Sequence, residues 1–380
     1  MAGNTKRIFV HGLFGWGESD PVYRYFPQWG MGSGNVVKDL RRQGYDCFAP
    51  AVGPLSSAWD RACELYAWLT GTRTDYGAAH SARCGHERFG RTFGPALAPD
   101  WSAEHPIDLI GHSFGGATSR LMLHLLQNGS ALEREACSDP SPLFLGGQAG
   151  LVRSVTCIAS PHNGSTLGIA EPDSISMVAG MNTLVAKGAV RLAPDGRFDF
   201  KLDQFGLAAE PGEDFVEAVR RLSAVTIEHG DGAFVDLTVD NALALNARIA
   251  MPEHVYYFSE PCCRTRGKGG VHVPDATMPP LLRESAKSMG ACFDTATPGG
   301  VAITREWLPN DGMVNTISAL CPLGAPSEFV TAETKEFRRG VWNVMPVHAA
   351  DHLEIIGGFG HPMKTKRFYR ALMRRLDTLD

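Results

Sequence analysis

Residues 107–129 pass from an apolar run, "IDLI", through "GHSFGG" into "ATSRLMLHLLQNG" with nothing between them. A short apolar run that leads straight into a 3.6-residue apolar period is a strand feeding a helix, and the glycines at 111 and 115 permit the sharp turn this demands. The same alternation recurs. Strands are expected at "RIFVHG" (7–12), "CFAPAVG" (47–53), "IDLIGHS" (107–113), "VRSVTCIAS" (152–160) and "HVYYFSE" (254–260), with a helix at "GATSRLMLHLLQNG" (116–129). Apolar strands interleaved with amphipathic helices predict an α/β fold, a mostly parallel central sheet with helices on both faces.

Three stretches exceed a minimal strand–helix–strand repeat: 55–100, rich in Gly, His, Arg and Asp; 165–206, with a long apolar helical pattern; and 261–300, rich in Pro, Gly and Thr. They read as insertions around the carboxyl ends of the strands, where open α/β sheets bind ligands. With no repeat or low-complexity linker, residues 1–380 are expected to form one decorated domain.

Lys plus Arg of 36 against Asp plus Glu of 41 leaves a net charge of −5, which provides neither a basic face for nucleic acid nor a cationic one for acidic membranes. No run reaches the roughly 18–20 apolar residues of a membrane helix, so no stable membrane insertion is expected. The opening "MAGNTKRIFV" shows no apolar leader core, which fits an exported chain in mature form or a cytosolic one. Nine cysteines without a CxxC pair argue against a disulfide scaffold, and the neighbours Cys262 and Cys263 read as two thiols.

In Gly111-x-Ser113-x-Gly115 the turn would lift the serine hydroxyl above the sheet. A serine hydroxyl is a weak nucleophile until a base takes its proton and an acid orients that base. Near the C-terminus, "DHLEIIGG" offers His352 as the base, in a loop before an apolar strand, with His348 as the alternative. "LPNDGMVN" offers Asp311 as the acid, although an aspartate in an Asn-Asp-Gly turn is equally well explained by the turn itself. Backbone donors for an oxyanion would be Leu13, in the glycine-rich "HGLFGWG", and Phe114, the residue after the serine.

Asp60, His80 and His86 could bring a carboxylate and two imidazoles together, but their spacing matches no compact zinc motif and by itself argues against a metal. Cys63 and Cys84 are an alternative ligand set, without the tight pairing of a thiolate site.

Several long stretches together resemble the thermoalkalophilic Geobacillus-type lipases, bacterial lipase family I.5, related to staphylococcal lipases. They are "AVGPLSSAWDRACELYAWL", "DYGAAHSARCGHERFGRTFG", "SPLFLGG", "SVTCIASPHNGSTL", "DFKLDQFGL", "WLPNDGMVNT" and "DHLEIIGG". The resemblance implies an α/β-hydrolase that cleaves carboxylic esters of lipids at an interface, with Ser113, Asp311 and His352 on the triad positions. It implies a structural zinc held by Asp60, His80 and His86 of the 55–100 insertion and by Asp236 of "FVDLTVDNALALN", tying the insertion to the core, and an exported protein. Its calcium site retains Glu354, but Phe359 stands where the family has an aspartate. The nucleophile motif also departs from the family's A-H-S-Q-G: Gly111 replaces the alanine, and Phe114 puts a bulky apolar side chain beside the nucleophile, from which an altered substrate preference is expected.

The stretch 173–193 occupies the family's lid region within 165–206. Ile175, Val178, Met181, Val185, Ala189 and Leu192 recur at helical spacing on one face, widened by Met177 and Leu184, as a helix that shields an apolar site requires. The sequence thus points to a serine carboxylic-ester hydrolase of the triacylglycerol lipase or esterase type. A polyester hydrolase and a non-catalytic binding protein of the same fold are the alternatives. Acyl-chain preference and oligomeric state are not legible in it.

Overall fold

Seven short segments pair in parallel to form the sheet on which everything else is mounted. In the computed structural model, which describes residues 5–380 apart from Ala149, Pro194, Ala332 and the side chain of Leu184, these strands are β1 (Lys6–Val10), β2 (Cys47–Phe48), β3 (Ile107–His112), β4 (Val152–Ile158), β5 (Tyr256–Glu260), β6 (Ser327–Phe329) and β7 (Trp342–Val344). Their order across the sheet is β6-β7-β5-β4-β3-β1-β2. The helices used below are α1 (Val36–Arg41), α2 (Ala58–Thr70), α3 (Phe114–Asn128), α4 (Ser174–Leu192), α5 (Phe215–Glu228) and α6 (Pro362–Leu376).

Side chains of a strand alternate between faces, so each central strand feeds two cores. Ile8, Leu109, Cys157 and Tyr257 point into a cluster with α2 and α3. Their neighbours Phe9, Ile110, Ile158 and Phe258 point into a second cluster with α1 and α6. Burial on both faces explains why these strands read as near-continuous apolar runs.

The expected strands all form, with trimmed ends; the one at 47–53 stops at Phe48, just before Pro50, because proline cannot donate to a sheet ladder. Strands β6 and β7 have only three residues each, too short for periodicity to register. The expectation of a strand after His352 is wrong. Asp351 Oδ1 accepts the N–H groups of Leu353 and Glu354, and Glu354–Ile356 coil into a 3₁₀ turn whose Ile355 and Ile356 are apolar because they pack into the second core.

Each of the three long stretches carries its own elements. Residues 55–100 hold α2, a helix at Ala78–Cys84 and an antiparallel pair, Arg73–Asp75 with Phe89–Thr92. Residues 165–206 hold α4, capped by the Asp173 carboxylate on the N–H of Ser176. Residues 261–300 hold a hairpin, Thr265–Lys268 with Val271–Pro274, and a helix at Pro280–Met289. All nine cysteines are free. Among the described residues, no helix is long and apolar enough to cross a membrane.

Candidate active site

Strand β3 ends at His112, and Ser113 turns the chain into α3 with φ 55° and ψ −128°. A non-glycine residue held there costs of order 1–3 kcal/mol and persists only where its surroundings over-determine it. They do so here: the Ser113 N–H donates to Ile158 O at 2.9 Å. A Cβ at 111 would stand 2.5 Å from the Gly115 carbonyl, and one at 115 would collide with Val10 O, so both positions need glycine for close approach.

The serine is not alone. Its Oγ lies 2.9 Å from His352 Nε2, and His352 Nδ1 lies 2.8 Å from Asp311 Oδ2. Asp311 Oδ1 accepts the N–H groups of Met313 at 2.9 Å and Val314 at 2.8 Å, so both carboxylate oxygens are occupied. A carboxylate facing Nδ1 fixes the proton there and leaves the Nε2 lone pair for the serine proton. The loop is held from behind as well. The His352 N–H donates to Asp311 O, and its carbonyl lies 3.0 Å from the Nε2 of His112, which burial and then the His352 ring hold well below the usual histidine range. Asp351, next to His352, is pushed up to about 6 by burial, against the bonds it accepts from Glu354 and Leu353. His348 is elsewhere: its Nε2 meets Glu260 Oε2 at 2.6 Å.

The loop after β1 presses against the serine, a Cβ on Gly12 falling 2.7 Å from Ser113 Cβ. Among the described residues, no acceptor takes the N–H of Leu13 or of Phe114, whereas the intervening Phe14 N–H is spent on Pro54 O. Two free backbone donors beside a relayed serine hydroxyl can receive the oxygen of an attacked carbonyl. The Phe114 ring, expected beside the nucleophile, is buried in the core with α2 instead. The turn into α3 sends its side chain into that core, and it does not line the cavity.

Above these groups lies a cavity of about 730 Å³ lined by Ser113, His352 and Leu13 and, from α4, by Ile175, Val178 and Met181. The apolar face of α4 therefore divides. Its first half lines the cavity, Val185 and Ala189 pack into the second core, Met177 packs near Phe200 and Phe215, and Leu192 is exposed. The side chain of Leu184 lies outside the described residues.

A second cluster brings residues of the 55–100 stretch together with the segment after α5. His80, Cys84, His86 and Asp231 offer ligand atoms within 4.8 Å of one another in a buried setting and could hold a metal such as zinc. Asp60 joins them: its Oδ1 is 3.2 Å from His80 Nε2 and 3.9 Å from His86 Nε2, while Asp231 Oδ2 is 3.3 Å and 3.2 Å from the same two atoms. A tetrahedron with bonds of about 2.0–2.2 Å has edges of roughly 3.3–3.6 Å, close to these separations. Two of the atoms are orphans. His86 Nδ1 is bonded to Glu87 O, which makes it the protonated nitrogen and leaves Nε2 as a lone pair; Nε2 and Asp60 Oδ1 are buried without hydrogen-bond partners. Acceptors facing one another in a dry site fit a cation.

Charge tells the same story. Burial and the neighbouring Asp231 raise Asp60; burial would depress His80, but Asp231 and Asp60 outweigh it and hold the ring at about 12; burial would raise Asp231, but the two imidazoles hold it low.

Asp231 stands where Asp236 was expected. The Asp236 carboxylate accepts the N–H of Ala58 at 2.7 Å, and burial pushes it up to about 7. The Gly-Asp-Gly turn at 230–232 was the available signal for Asp231. Cys63 is buried in the core with α2 and α3, away from this group. Glu354, the retained calcium ligand of the resemblance, faces a cation of its own chain, Arg264 Nη2 at 3.4 Å.

A family model described as "Lipase-like, C-terminal domain" matches residues 4–374. Lipase 2 of Staphylococcus aureus is 34% identical over 362 residues, covering 92% of this chain and 50% of that protein. The chain thus spans about half the length of the curated relatives it matches. Among solved structures, EstA from Clostridium botulinum superposes with a TM-score of 0.88 at 34% identity, covering 99% of this chain and 87% of that one. Lipase 1 from Pelosinus fermentans gives 0.86 at 35%, covering 99% of each chain, and the Staphylococcus hyicus lipase gives 0.83 at 30%, covering 99% and 96%.

Proposed function

From a chain that belongs to the bacterial lipase family related to the staphylococcal lipases, with an α/β-hydrolase fold, we propose a serine hydrolase of carboxylic esters whose substrates are lipids or other water-insoluble esters. The observation that carries the reading is the unbroken chain Asp311–His352–Ser113 ending beside two unclaimed backbone N–H groups under an apolar cavity. A protein that only binds has no use for all of these at once.

In this reading Ser113 Oγ attacks the ester carbonyl as His352 Nε2 takes its proton. The carbonyl oxygen becomes an oxyanion held by the N–H groups of Leu13 and Phe114, while Asp311 keeps the imidazolium oriented and compensates its charge. His352 then protonates the departing alcohol, leaving an acyl group on Ser113. Water activated by the same imidazole hydrolyses the acyl-enzyme and restores the serine. Helix α4 acts as a lid: Ile175, Val178 and Met181 give the acyl chain an apolar wall, and its movement at a lipid surface admits substrate.

Zinc, where bound, would be held by Asp60, His80, His86 and Asp231, as a structural ion with no role in bond-making. These residues join α2 and the Ala78–Cys84 helix to the segment after α5, which supports reading residues 55–100 as an inserted subdomain of a single hydrolase domain.

The test is hydrolysis of p-nitrophenyl esters from short to long acyl chains by the protein and by Ser113→Ala. The reading expects activity that favours long chains and disappears in the variant. Equal activity in both, or none in either, overturns it.

A further inference from the structure

We propose that Arg61 is a positioning residue for this reaction: from behind the site it fixes the peptide plane whose N–H, that of Leu13, receives the oxyanion. The inference rests on the ester-hydrolase reading.

Arg61 projects from α2 and is completely buried, yet no ion pair engages it among the described residues. Its guanidinium is used instead on main-chain oxygens and one hydroxyl. Nη2 donates to His11 O, Nη1 donates to Gly53 O at 2.7 Å and to Gly12 O at 3.5 Å, and Nε donates to Thr118 Oγ1 at 2.9 Å. The planar fork also lies 5.2 Å from the centre of the Phe114 ring. One side chain therefore touches the loop after β1, the loop after β2, and the first turn of α3.

The consequence follows from peptide geometry. The Gly12 carbonyl and the Leu13 N–H belong to one planar unit and point in opposite directions across a trans bond. Anchoring the carbonyl toward Arg61, with His11 Nδ1 also 2.9 Å from it, turns the N–H the other way, toward the side on which Gly12 packs against Ser113. The second donor is tied to the same fork, because the Phe114 ring and the Thr118 hydroxyl both belong to α3, whose first N–H is that of Phe114. Arg61 thus sets the spacing between the two donors without touching the substrate.

A buried cation with no carboxylate in contact is expensive to keep, and burial pushes this guanidinium down to about 9. Arginine suits the task because its rigid fork holds several acceptors at fixed angles, which a lysine ammonium on a flexible stem does not.

The experiment compares wild type, Arg61→Lys and Arg61→Met by ester kinetics and by the rate of inactivation with a p-nitrophenyl alkylphosphonate. Thermal unfolding and zinc content are read on the same samples. Loss of one oxyanion donor costs on the order of a hundred- to a thousandfold, so loss of its alignment should lower kcat at least about tenfold with KM within about twofold. Phosphonate inactivation should slow by a similar factor, because its tetrahedral adduct places an oxygen in the same hole. Folded Arg61→Lys with wild-type kcat overturns the proposal. Should both Arg61 variants fail to fold, Thr118→Val, which frees one end of the fork, is expected to lower kcat about two- to fivefold at constant KM; unchanged kcat there makes Arg61 a packing residue only. A wild-type protein that neither hydrolyses ester nor reacts with phosphonate sinks the hydrolase reading and this inference with it, whereas an active wild type with an indifferent Arg61→Lys sinks the inference alone.

Discussion

The two polar clusters of this molecule are built from the same residue types and end in opposite states. Around Ser113, each carboxylate oxygen of Asp311, each ring nitrogen of His352 and the serine hydroxyl has a partner of the complementary kind. Around His80 and His86, a lone pair and a carboxylate oxygen are buried facing other acceptors. In the proposed reading protons alone complete the first cluster and make it a relay, whereas the second could hold a cation, which would make it a brace. Asp and His do not distinguish the two; the count of donors against acceptors does.

The contrast can be broken most severely at Asp311. Asp311→Asn should lower kcat on the order of 10⁴-fold, because the amide favours the wrong imidazole tautomer, while leaving the unfolding temperature nearly unchanged. If the loss of activity instead followed a loss of folded protein, the relay would be a structural network like its counterpart.

Next in size is the brace. Asp231→Ala should lose bound zinc and lower Tm on the order of 5–10 °C, as removal of a well-occupied structural ion does, and a chelator should reproduce that shift in wild type. Asp236→Ala should keep its zinc and cost only about 1 kcal/mol, the worth of the bond it accepts from the Ala58 N–H. Metal analysis and calorimetry decide between the two aspartates, and the reverse result would restore Asp236 as the ligand.

The smallest effect concerns pH. Burial raises Asp351 to about 6 in the folded protein, so the folded state holds a proton that the unfolded chain releases near pH 4. Stability contributed by this group is complete below about pH 4 and is lost as pH rises through 6. Asp351→Asn, which can still accept from Leu353 and Glu354, should therefore gain about 1–3 kcal/mol over wild type at pH 8 and nothing at pH 4. Urea melts at the two pH values measure it, and a gain of equal size at both would remove the titration as its cause.

What was legible in the sequence follows the reach of each signal. The turn at Ser113 is local, flanked by a strand and a helix long enough to show their periods, and it could be read outright. Asp311 and His352 lie far from it along the chain: His352 could be preferred among the last histidines from its loop position, whereas Asp311 needed the resemblance to stand out from other turn aspartates. Strands β6 and β7 escaped because three residues carry no period, and the run after His352 misled because apolar residues in a buried turn look like those of a strand. Asp231 was missed because it and Asp236 lie in one short segment whose histidine partners come from residues 80–86, and the Gly-Asp-Gly turn at 230–232 is too weak a signal to prefer one carboxylate over the other. Arg61 was invisible for the same reason: its partners are main-chain carbonyls, which every residue possesses.

Treating the protein with a p-nitrophenyl alkylphosphonate and locating the adduct by peptide mass spectrometry tests directly whether Ser113 is the nucleophile. One phosphonyl group per chain, on Ser113, is expected, with esterase activity lost in proportion to labelling. Full activity without a label, or a label on another residue that accounts for the lost activity, would contradict it.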